Sequence, residues 1–119
     1  MKIPIVKYSD KFLNSISWFM KIGGVTLFPF IILREIYNTS DYKNLAKKVI
    51  NHESIHIKQQ QEMLVIPFYL WYGIEWFIKL FIYGSKAYNN LSFEREAHVN
   101  ENNPNYIIER KFWAWIKYL

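Results

Sequence analysis

The stretch TSDYKNLAKKVINHESIHIKQQQEML, residues 39–64, decides the fold because it predicts one long helix with two distinct faces. It opens with a Thr-Ser-Asp cluster at 39–41, residue types that cap helix N-termini, and Pro67 follows its end. His52 and His56 share one face of this helix. A neighbouring face carries an apolar stripe that can pack on a core, formed by Leu45, Val49, Ile50 and Ile57.

His52 and His56 are spaced for joint binding of a metal ion. Residues four apart on a helix point the same way, so the two imidazoles can converge on one ion. Zinc accepts neutral imidazole nitrogens at about 2.0–2.1 Å. Glu53 is rotated by about 100° from His52, so it is placed to reach a zinc-held water as general base. The alternative is a polar helix face whose histidines are solvated or bonded to backbone.

A catalytic zinc takes three protein ligands and keeps one open position, so a third ligand is needed downstream. Several candidates lie in LSFEREAHVNE, residues 91–101, about forty residues after His56. Within that stretch Glu94 and His98 share a helix face, whereas Glu96 points elsewhere. The residue types alone leave six candidates open: Glu75, Glu94, Glu96, His98, Glu101 and Glu109.

Chain length, cysteine content and net charge limit the kinds of domain, metal site and partner that this protein can have. A chain of 119 residues predicts a single domain over residues 1–119, with a core rich in aromatic side chains. The absence of cysteine excludes disulfides, thiolate zinc sites and cysteine nucleophiles, so any metal must be held by His, Asp or Glu. The net charge of +5 is carried by scattered lysines with no basic run beyond Lys47–Lys48, which makes a nucleic-acid partner unlikely.

The remaining segments predict a mainly α (α+β) fold with a small N-terminal β-sheet. The first eight residues favour a short edge strand, and Asp10 could cap a helix running through Met20 before a turn at Gly23–Gly24. The residues 25–37 are typical of one or two strands. Three further helices are expected: one from about Pro67 to Tyr83, a second capped by Ser92, and a last one over residues 105–119.

The sequence contains two apolar segments that are compatible with contact to a membrane. Residues 63–83 are long and apolar enough to reach across a bilayer, but Glu75 and Lys79 near their middle make a true crossing less favourable than mutual pairing. A second apolar segment, 16–33, is interrupted by charge, glycine and proline. Two alternatives remain, a tight aromatic core and a protein seated in the membrane interface. The N-terminus predicts no signal peptide, so we expect a cytoplasmic protein or one peripheral at the membrane.

The pair of motifs HESIH and Glu94-Arg95-Glu96-Ala97-His98 resembles the gluzincin HExxH zinc metallopeptidases, in which the first Glu of an E-x-x-A/C-D motif is the third zinc ligand. The resemblance implies a minimal zincin-like helical core and Zn2+ bound by His52, His56 and Glu94. It puts His98 where those families carry an Asp that often supports a ligating histidine. Residues 24–118 also look like a group of small bacterial HExxH proteins, which implies no particular substrate.

The resulting functional prediction is a zinc-dependent metallohydrolase, peptidase-like, with a zinc-activated water and Glu53 as general base acting on a peptide or protein. The alternative is a non-catalytic metal-binding or accessory subunit that docks on a membrane or a larger assembly. Tyr106 and Arg110 are candidate oxyanion donors, and Arg95 could support Glu94 or face solvent. Residues 59–61, three glutamines, predict a solvated or inter-helix hydrogen-bonding face.

Overall fold

The structure, a computed structural model, describes residues 4–16 and 24–119. It confirms a mainly helical fold with a small three-stranded sheet near the N-terminus. Short 3-10 turns at Glu35–Asn38, Ser40–Tyr42, Gly84–Lys86, Tyr88–Asn90 and Ala114–Tyr118 connect or follow the main elements. The strands and α-helices are β1 (Ile5–Tyr8), α1 (Asp10–Ile16), β2 (Gly24–Leu27), β3 (Phe30–Leu33), α2 (Lys43–Glu62), α3 (Ile66–Tyr83), α4 (Ser92–Asn100) and α5 (Tyr106–Glu109).

The sheet has the strand order β1-β3-β2, with β1 parallel and β2 antiparallel to the central strand β3. The predicted edge strand in the first eight residues is therefore confirmed as β1. The segment 25–37 contains the C-terminal part of one strand and the whole of a second, joined at the cis Phe28–Pro29 bond. The predicted extension of α1 to Met20 and the start of the Gly23–Gly24 turn lie in residues 17–23, outside the described residues.

Helix α2 packs against the sheet through one face. Ile57 is buried against Ile31 and Leu33 of β3, and Val49 and Ile50 pack at the edge of this core. The predicted stripe is wrong for Leu45, which lies near the start of α2 and is exposed. The burial of three apolar residues on two turns fixes the rotation of α2, and with it the direction of the histidine face.

The start of α2 differs from the prediction. The cluster at 39–41 forms a 3-10 turn, and the α-helix begins only at Lys43 with no side-chain cap. The Thr39 hydroxyl donates to Ile36 O at 2.8 Å instead of capping the helix. The hydroxyl is thus used by the preceding 3-10 turn, a local competition that the residue types alone do not resolve.

A sharp bend separates α2 from α3. Leu64 and Val65 adopt positive φ values of 58° and 41°, and Pro67 lies in the first turn of α3 as predicted. Gly84, at φ +60°, ends the helix. Among the described residues no single helix passes the length and hydropathy criteria for crossing a bilayer; only the bent pair Ser40–Glu62 and Ile66–Lys86, angled by 111°, passes them jointly.

The N-terminus of α4 is held by a carboxylate from α3. The Ser92 backbone N–H donates to Glu75 Oε2 at 2.5 Å, and the Ser92 hydroxyl donates to Glu75 Oε1 at 2.7 Å. The predicted N-cap role of Ser92 is therefore wrong, because its hydroxyl is a donor to Glu75 and Leu91 occupies the cap position. Glu75 also pairs with Lys79 at 2.8 Å, as expected from their one-turn spacing.

The single C-terminal helix predicted over residues 105–119 is also wrong. The chain forms the short helix α5 and a separate 3-10 turn, and Trp113 between them has a φ of +64°. Glu62 at the end of α2 explains the break, because it accepts from the Trp113 backbone N–H at 2.6 Å and pairs with Arg110 at 2.7 Å. Folding back in this way buries Trp115 against Phe68 and Phe93.

Candidate metal centre

Helices α2 and α4 bring three potential ligands together. His52 Nε2 lies 3.2 Å from Glu94 Oε1, and His56 Nε2 lies 3.1 Å from Glu94 Oε2. The ligand atoms of these three residues all fall within 4.8 Å of one another. Ala97 is fully buried on α4, and its small side chain allows the close approach of α2 that this geometry needs. Of the six candidates for a third ligand, Glu94 is thus the one placed between both imidazoles.

His56 carries the most informative atom of the cluster. Its Nε2 is buried, and within the described parts of the chain it faces Glu94 Oε2 at 3.1 Å. Buried polar nitrogens are rarely left without a partner, since the loss of hydration costs about 1–3 kcal/mol. A ring nitrogen aimed at a carboxylate in this way fits a position for a proton or a cation between the two groups.

Gln59 fixes which nitrogen of His56 carries a proton. Its Nε2 donates to two acceptors, Phe93 O at 3.1 Å and Glu96 Oε1 at 2.9 Å. The amide oxygen of Gln59 must therefore face His56 Nδ1, 2.7 Å away, and an amide oxygen can only accept. His56 consequently donates through Nδ1, and in its neutral form it presents the Nε2 lone pair toward Glu94.

Glu101 performs the same task for His52. Its Oε2 lies 2.6 Å from His52 Nδ1, so this nitrogen is the donor and Nε2 faces Glu94. The sequence placed Glu101 only among the possible ligands, and the resemblance placed the supporting group at His98. Carboxylates that accept from the outer nitrogen of a ligating histidine fix its tautomer and raise its basicity.

The charges of the cluster stabilise one another. Burial alone would lower the pKa of His56, but the charge of Glu94 raises it to about 10. Burial likewise opposes the change at His52, whose pKa is nevertheless raised by its hydrogen bond to Glu94. Burial would raise the pKa of Glu94, but the charge of His56 holds it well below its usual range. The centre is therefore strongly anionic when both rings are neutral, which favours a cation.

Glu53 lies on the side of α2 that faces strand β2. The Thr26 hydroxyl lies 2.5 Å from Glu53 Oε2 and 3.1 Å from Glu53 O, so it can donate to the carboxylate. Gly24 lies beside the other oxygen, because a Cβ added there would come within 3.6 Å of Glu53 Oε1. The carboxylate thus borders the same pocket as His56 and Glu94, while the group of possible ligand atoms consists of His52, His56 and Glu94.

A pocket of about 190 Å3 opens beside these groups. Glu53, His56 and Glu94 form its polar end, and the remainder of the wall is mostly apolar or aromatic: Gly24, Val25, Thr26, Leu27, Gln60, Phe68, Tyr69, Tyr72 and Tyr88. Burial and the charges of Glu94 and Glu53 raise the pKa values of Tyr72 and Tyr88, so both phenols stay protonated at neutral pH. The sequence did not single out these two hydroxyl donors, because nine tyrosines offered no local signal.

His98 lies at the rim of the cluster. Its side chain is 49% exposed, with Nε2 3.9 Å from Glu94 Oε1 and Nδ1 3.5 Å from Glu101 Oε2. Together with His52 and Glu101 it forms a second group whose potential ligand atoms lie within 4.8 Å of one another. The two groups share His52, so they are neighbouring parts of one His/Glu cluster that could bind a metal ion.

The proposed oxyanion donors Tyr106 and Arg110 are placed elsewhere. The Tyr106 hydroxyl donates to Glu96 Oε2 at 2.8 Å, and Arg110 pairs with both Glu96 and Glu62. They support the His/Glu cluster indirectly, because Glu96 accepts from Gln59, which in turn contacts His56. Neither residue lines the pocket beside Glu53, so the structure does not place them as direct donors there.

The other polar candidates also have structural partners. Arg95 contacts Tyr118 O, Asn90 Oδ1 and the Tyr83 hydroxyl rather than Glu94. Glu109 is exposed, accepts from Asn103 Nδ2 at 3.2 Å and belongs to neither group of possible ligands. Of the three glutamines, Gln59 and Gln60 are buried and bond between elements, whereas Gln61 is exposed.

No protein-family model, curated protein or solved structure matches this chain. The likeness to gluzincins therefore consists of the two motifs and their residues.

Proposed function

We propose that the protein is a zinc-dependent metallohydrolase, peptidase-like, with His52, His56 and Glu94 as zinc ligands and Glu53 as general base. The observation that carries the proposal is the buried carboxylate of Glu94, whose two oxygens lie 3.2 Å from His52 Nε2 and 3.1 Å from His56 Nε2. Two imidazoles and one carboxylate are a donor set that catalytic zinc uses. Bound zinc would supply a Lewis acid and lower the pKa of a water molecule toward about 7.

The supporting groups of both histidines fit this role. Each ring has Nδ1 beside an acceptor, Gln59 or Glu101, so that once the proton on Nε2 is displaced by a metal ion, both Nε2 lone pairs would be directed at the position beside Glu94. Contacts of this kind, made to the nitrogen that points away from the ion, commonly orient imidazole ligands. A polar cluster that binds no ligand would not need an acceptor at the Nδ1 atom of both histidines.

Glu53 is suited to hold and move a proton. Thr26 fixes one of its oxygens at 2.5 Å, and the other borders the pocket next to Gly24. A carboxylate that lies beside the ligands without binding the ion can accept a proton from a nucleophilic water and later donate it to a leaving group. In this role Tyr72 and Tyr88 are better candidates than Tyr106 or Arg110 to donate to a developing oxyanion, because their hydroxyls belong to residues that line the pocket.

A peptide is the substrate class that the surroundings favour. Strand β2 lies at one edge of the described sheet and borders the pocket with Gly24, Val25, Thr26 and Leu27. An extended peptide can pair with a strand edge through its backbone and place one apolar side chain in the pocket. Gln60 and Tyr69 already donate to Thr26 O, so peptide pairing would use the remaining groups of this edge.

A second candidate function is a non-catalytic metal-binding or accessory subunit. It is favoured by His98, whose Nε2 lies 3.9 Å from Glu94 Oε1 and could supply a fourth protein ligand after a small side-chain movement. Four protein ligands close the coordination shell of zinc and are typical of structural sites, whereas a catalytic site keeps one position for water.

Metal analysis of four proteins, followed by a hydrolysis assay, separates these functions. Wild type and Glu53→Gln are expected to retain about one zinc per chain after equilibration with zinc and buffer exchange, whereas Glu94→Ala loses it. Glu109→Gln, an exposed carboxylate away from the cluster, is the matched control. Peptide mixtures analysed by mass spectrometry then report hydrolysis, which Glu53→Gln is expected to abolish.

Zinc absent from the wild-type protein would refute both metal-dependent functions. Zinc present without any Glu53-dependent cleavage, together with three imidazole ligands rather than two in the X-ray absorption spectrum, would favour the accessory subunit.

A further inference from the structure

Helix α3 has an unusual distribution of charge. Its eighteen residues contain two charged side chains, Glu75 and Lys79, and both point inward and pair at 2.8 Å. Glu75 is buried and Lys79 is largely so. In a helix on the surface of a soluble domain the charged residues normally face water and the apolar residues face the core. Here the charges face the core.

The outward face of α3 is apolar along its whole length. Phe81 is 80% exposed and Phe77 is 62% exposed, figures that leave most of each ring without a contact. The other exposed large residues of the helix are Ile66, Tyr69, Leu70, Trp71, Ile74, Ile78, Leu80, Ile82 and Tyr83. None of these carries a charge. At 1.5 Å per residue the face is about 27 Å long, and single domains rarely expose apolar patches of such extent without a binding role.

The apolar face continues onto the C-terminal segment. The ring of Trp71 on α3 lies 5.9 Å from Trp115, which lies 5.8 Å from Trp113, and Trp113 lies 5.6 Å from Phe112. Phe112 and Ile116 are exposed. We call the exposed residues of α3 together with Phe112, Trp113 and Ile116 the apolar surface.

Basic residues accompany the apolar surface. Lys111 and Lys117 are exposed and lie in the same segment as Phe112 and Trp113, and Lys86 is exposed just after the end of α3. The chain as a whole carries a net charge of +5. Lysines beside exposed aromatic and aliphatic side chains suit a surface that is anionic at its boundary and apolar below it.

We propose that the apolar surface docks the protein onto the face of an anionic phospholipid bilayer, with α3 lying in the interface and Lys86, Lys111 and Lys117 contacting headgroups. Three observations favour lipid over a protein partner or a second copy. The exposed part of α3 has no charged residue to form the polar rim of a protein interface. Its charged residues pair on the inner side, as they do in helices that face lipid. Its tyrosines and tryptophans favour the interfacial region.

The geometry fits attachment to one leaflet rather than a crossing. No single described helix passes the criteria for a bilayer-spanning helix, and α3 meets α2 at 111°. An apolar helix face inserted by about 5–10 Å would bury the outer side of α3 while its inner side stays packed on the protein. Tyr69 lies both on the apolar surface and in the wall of the pocket, so, if the proposed hydrolase function holds, the pocket is placed to take peptides close to the bilayer.

Vesicle flotation tests the docking without using the metal centre. Protein is mixed with vesicles of phosphatidylcholine alone, or of equal parts phosphatidylcholine and phosphatidylglycerol, and the floated fraction is measured. We expect wild type and Glu94→Ala to float equally with the anionic vesicles and less with the neutral ones. Protein that floats but does not hydrolyse peptides would refute the proposed hydrolase function and leave the docking proposal standing. Protein that hydrolyses peptides but does not float would do the opposite.

Matched double variants locate the surface. Phe77→Asn with Phe81→Asn is expected to lower the partition coefficient by at least about tenfold, since burial of each ring favours the bound state strongly. Ile36→Asn with Leu45→Asn changes two exposed apolar residues away from α3 and is expected to leave binding unchanged. Circular dichroism melting confirms that both variants remain folded. Lys111→Gln with Lys117→Gln is expected to weaken binding to anionic vesicles only.

Three outcomes would overturn the proposal. Wild-type protein that does not float with either vesicle has no lipid-docking surface. Equal flotation of the Phe77/Phe81 variant and wild type would place any lipid contact elsewhere. A dimer in sedimentation equilibrium that the same variant converts to monomer, without vesicle binding, would assign the apolar surface to a second copy of the chain.

Discussion

Gln59 Oε1 accepts a hydrogen bond from His56 Nδ1 across 2.7 Å, and the same amide donates to Glu96 Oε1 at 2.9 Å. The Glu96 carboxylate is held by Arg110, which also pairs with Glu62. A chain of five polar residues therefore runs from the His/Glu cluster to the C-terminal fold-back. Its consequence is that His56 donates through Nδ1, so that the neutral ring would present its Nε2 lone pair toward Glu94.

Gln59→Leu should lower zinc affinity by about 10–100-fold, the usual effect of removing a group that orients a ligating histidine. Leucine has a similar size but cannot accept the His56 proton, so the ring loses its fixed orientation. Competition with a fluorescent zinc chelator measures the change. Gln61→Leu, at an exposed position on the same helix, is the control and should bind zinc as wild type does. Equal affinities for the two variants would contradict the assigned role of Gln59.

Glu101→Ala should weaken zinc binding to a similar extent, roughly 10–100-fold, because His52 Nδ1 loses its acceptor at 2.6 Å. Lys48, which lies 3.4 Å from Glu101, would lose its partner at the same time but is largely solvated. X-ray absorption spectra of the zinc-loaded variant separate two roles for Glu101. An unchanged set of zinc–ligand distances identifies it as an orienting group, whereas a changed set of zinc–oxygen distances would make it a direct ligand and refute this prediction.

Thr26→Val should impair hydrolysis while leaving zinc binding intact. The substitution keeps the shape of the side chain and removes the hydroxyl that holds Glu53 Oε2 at 2.5 Å. We expect kcat to fall by roughly 10–100-fold through misplacement of the base. Thr39→Val removes an exposed hydroxyl far from the pocket and serves as the control. A loss of zinc from the Thr26 variant would show instead that Thr26 maintains the cluster as a whole.

The metal-free protein should lose stability as the pH rises above about 6.5. His56 has a folded-state pKa raised to about 10 by Glu94, against 6.5 when unfolded, so its contribution is complete below pH 6.5 and is lost progressively up to about pH 10. Glu94 affects stability at acidic pH instead. Because its pKa is lowered in the folded state, its contribution to the free energy of unfolding is lost as the pH falls below 4.5. Chemical unfolding at a series of pH values measures both limbs.

Zinc should prevent the loss of stability at alkaline pH, because the ion would replace the proton between His56 and Glu94. The zinc-loaded protein is expected to keep its free energy of unfolding nearly constant from pH 7 to 9, where the metal-free protein declines. Parallel decline of both forms would place zinc elsewhere in the protein.

Glu75→Gln should destabilise the fold by about 3–5 kcal/mol, because it leaves Lys79 as an uncompensated charge in a largely buried position. It also weakens the carboxylate contact that holds Ser92 at the start of α4. Adding Lys79→Met should recover part of the loss, whereas Asp41→Asn at an exposed site should cost little. Urea unfolding measures all three. A cost below about 1 kcal/mol would mean that the pair is well solvated.

The two motifs on the helices were accessible to sequence reasoning because helical spacing is a local property. His52 and His56 are one turn apart wherever that helix lies, and the apolar residues Val49, Ile50 and Ile57 dictate which side of it packs inward. Glu75 and Lys79 could be paired on the same basis. The mainly helical fold and its small sheet likewise follow from local periodicity and residue type.

The groups around the cluster could not be assigned in this way. Glu101 was a candidate ligand in the sequence, yet its partner His52 lies 49 residues away. Gln59 is only three residues from His56, but the orientation of its amide is set by Glu96, 37 residues away. Tyr72 and Tyr88 were two of nine tyrosines. Contacts between distant residues depend on the angle and depth at which whole helices pack, which no short window of sequence encodes.

The sequence by itself determined the helices, the position of the paired histidines with their neighbouring glutamate, and a short set of carboxylates that could join them. Only the tertiary structure decided that Glu94 joins them, that Glu101 and Gln59 orient the rings, and that the C-terminal segment folds back onto Glu62. The physical reason is range: backbone hydrogen bonds and side-chain periodicity act within a few residues, whereas the electrostatic and packing energies of a buried site depend on elements far apart in the chain.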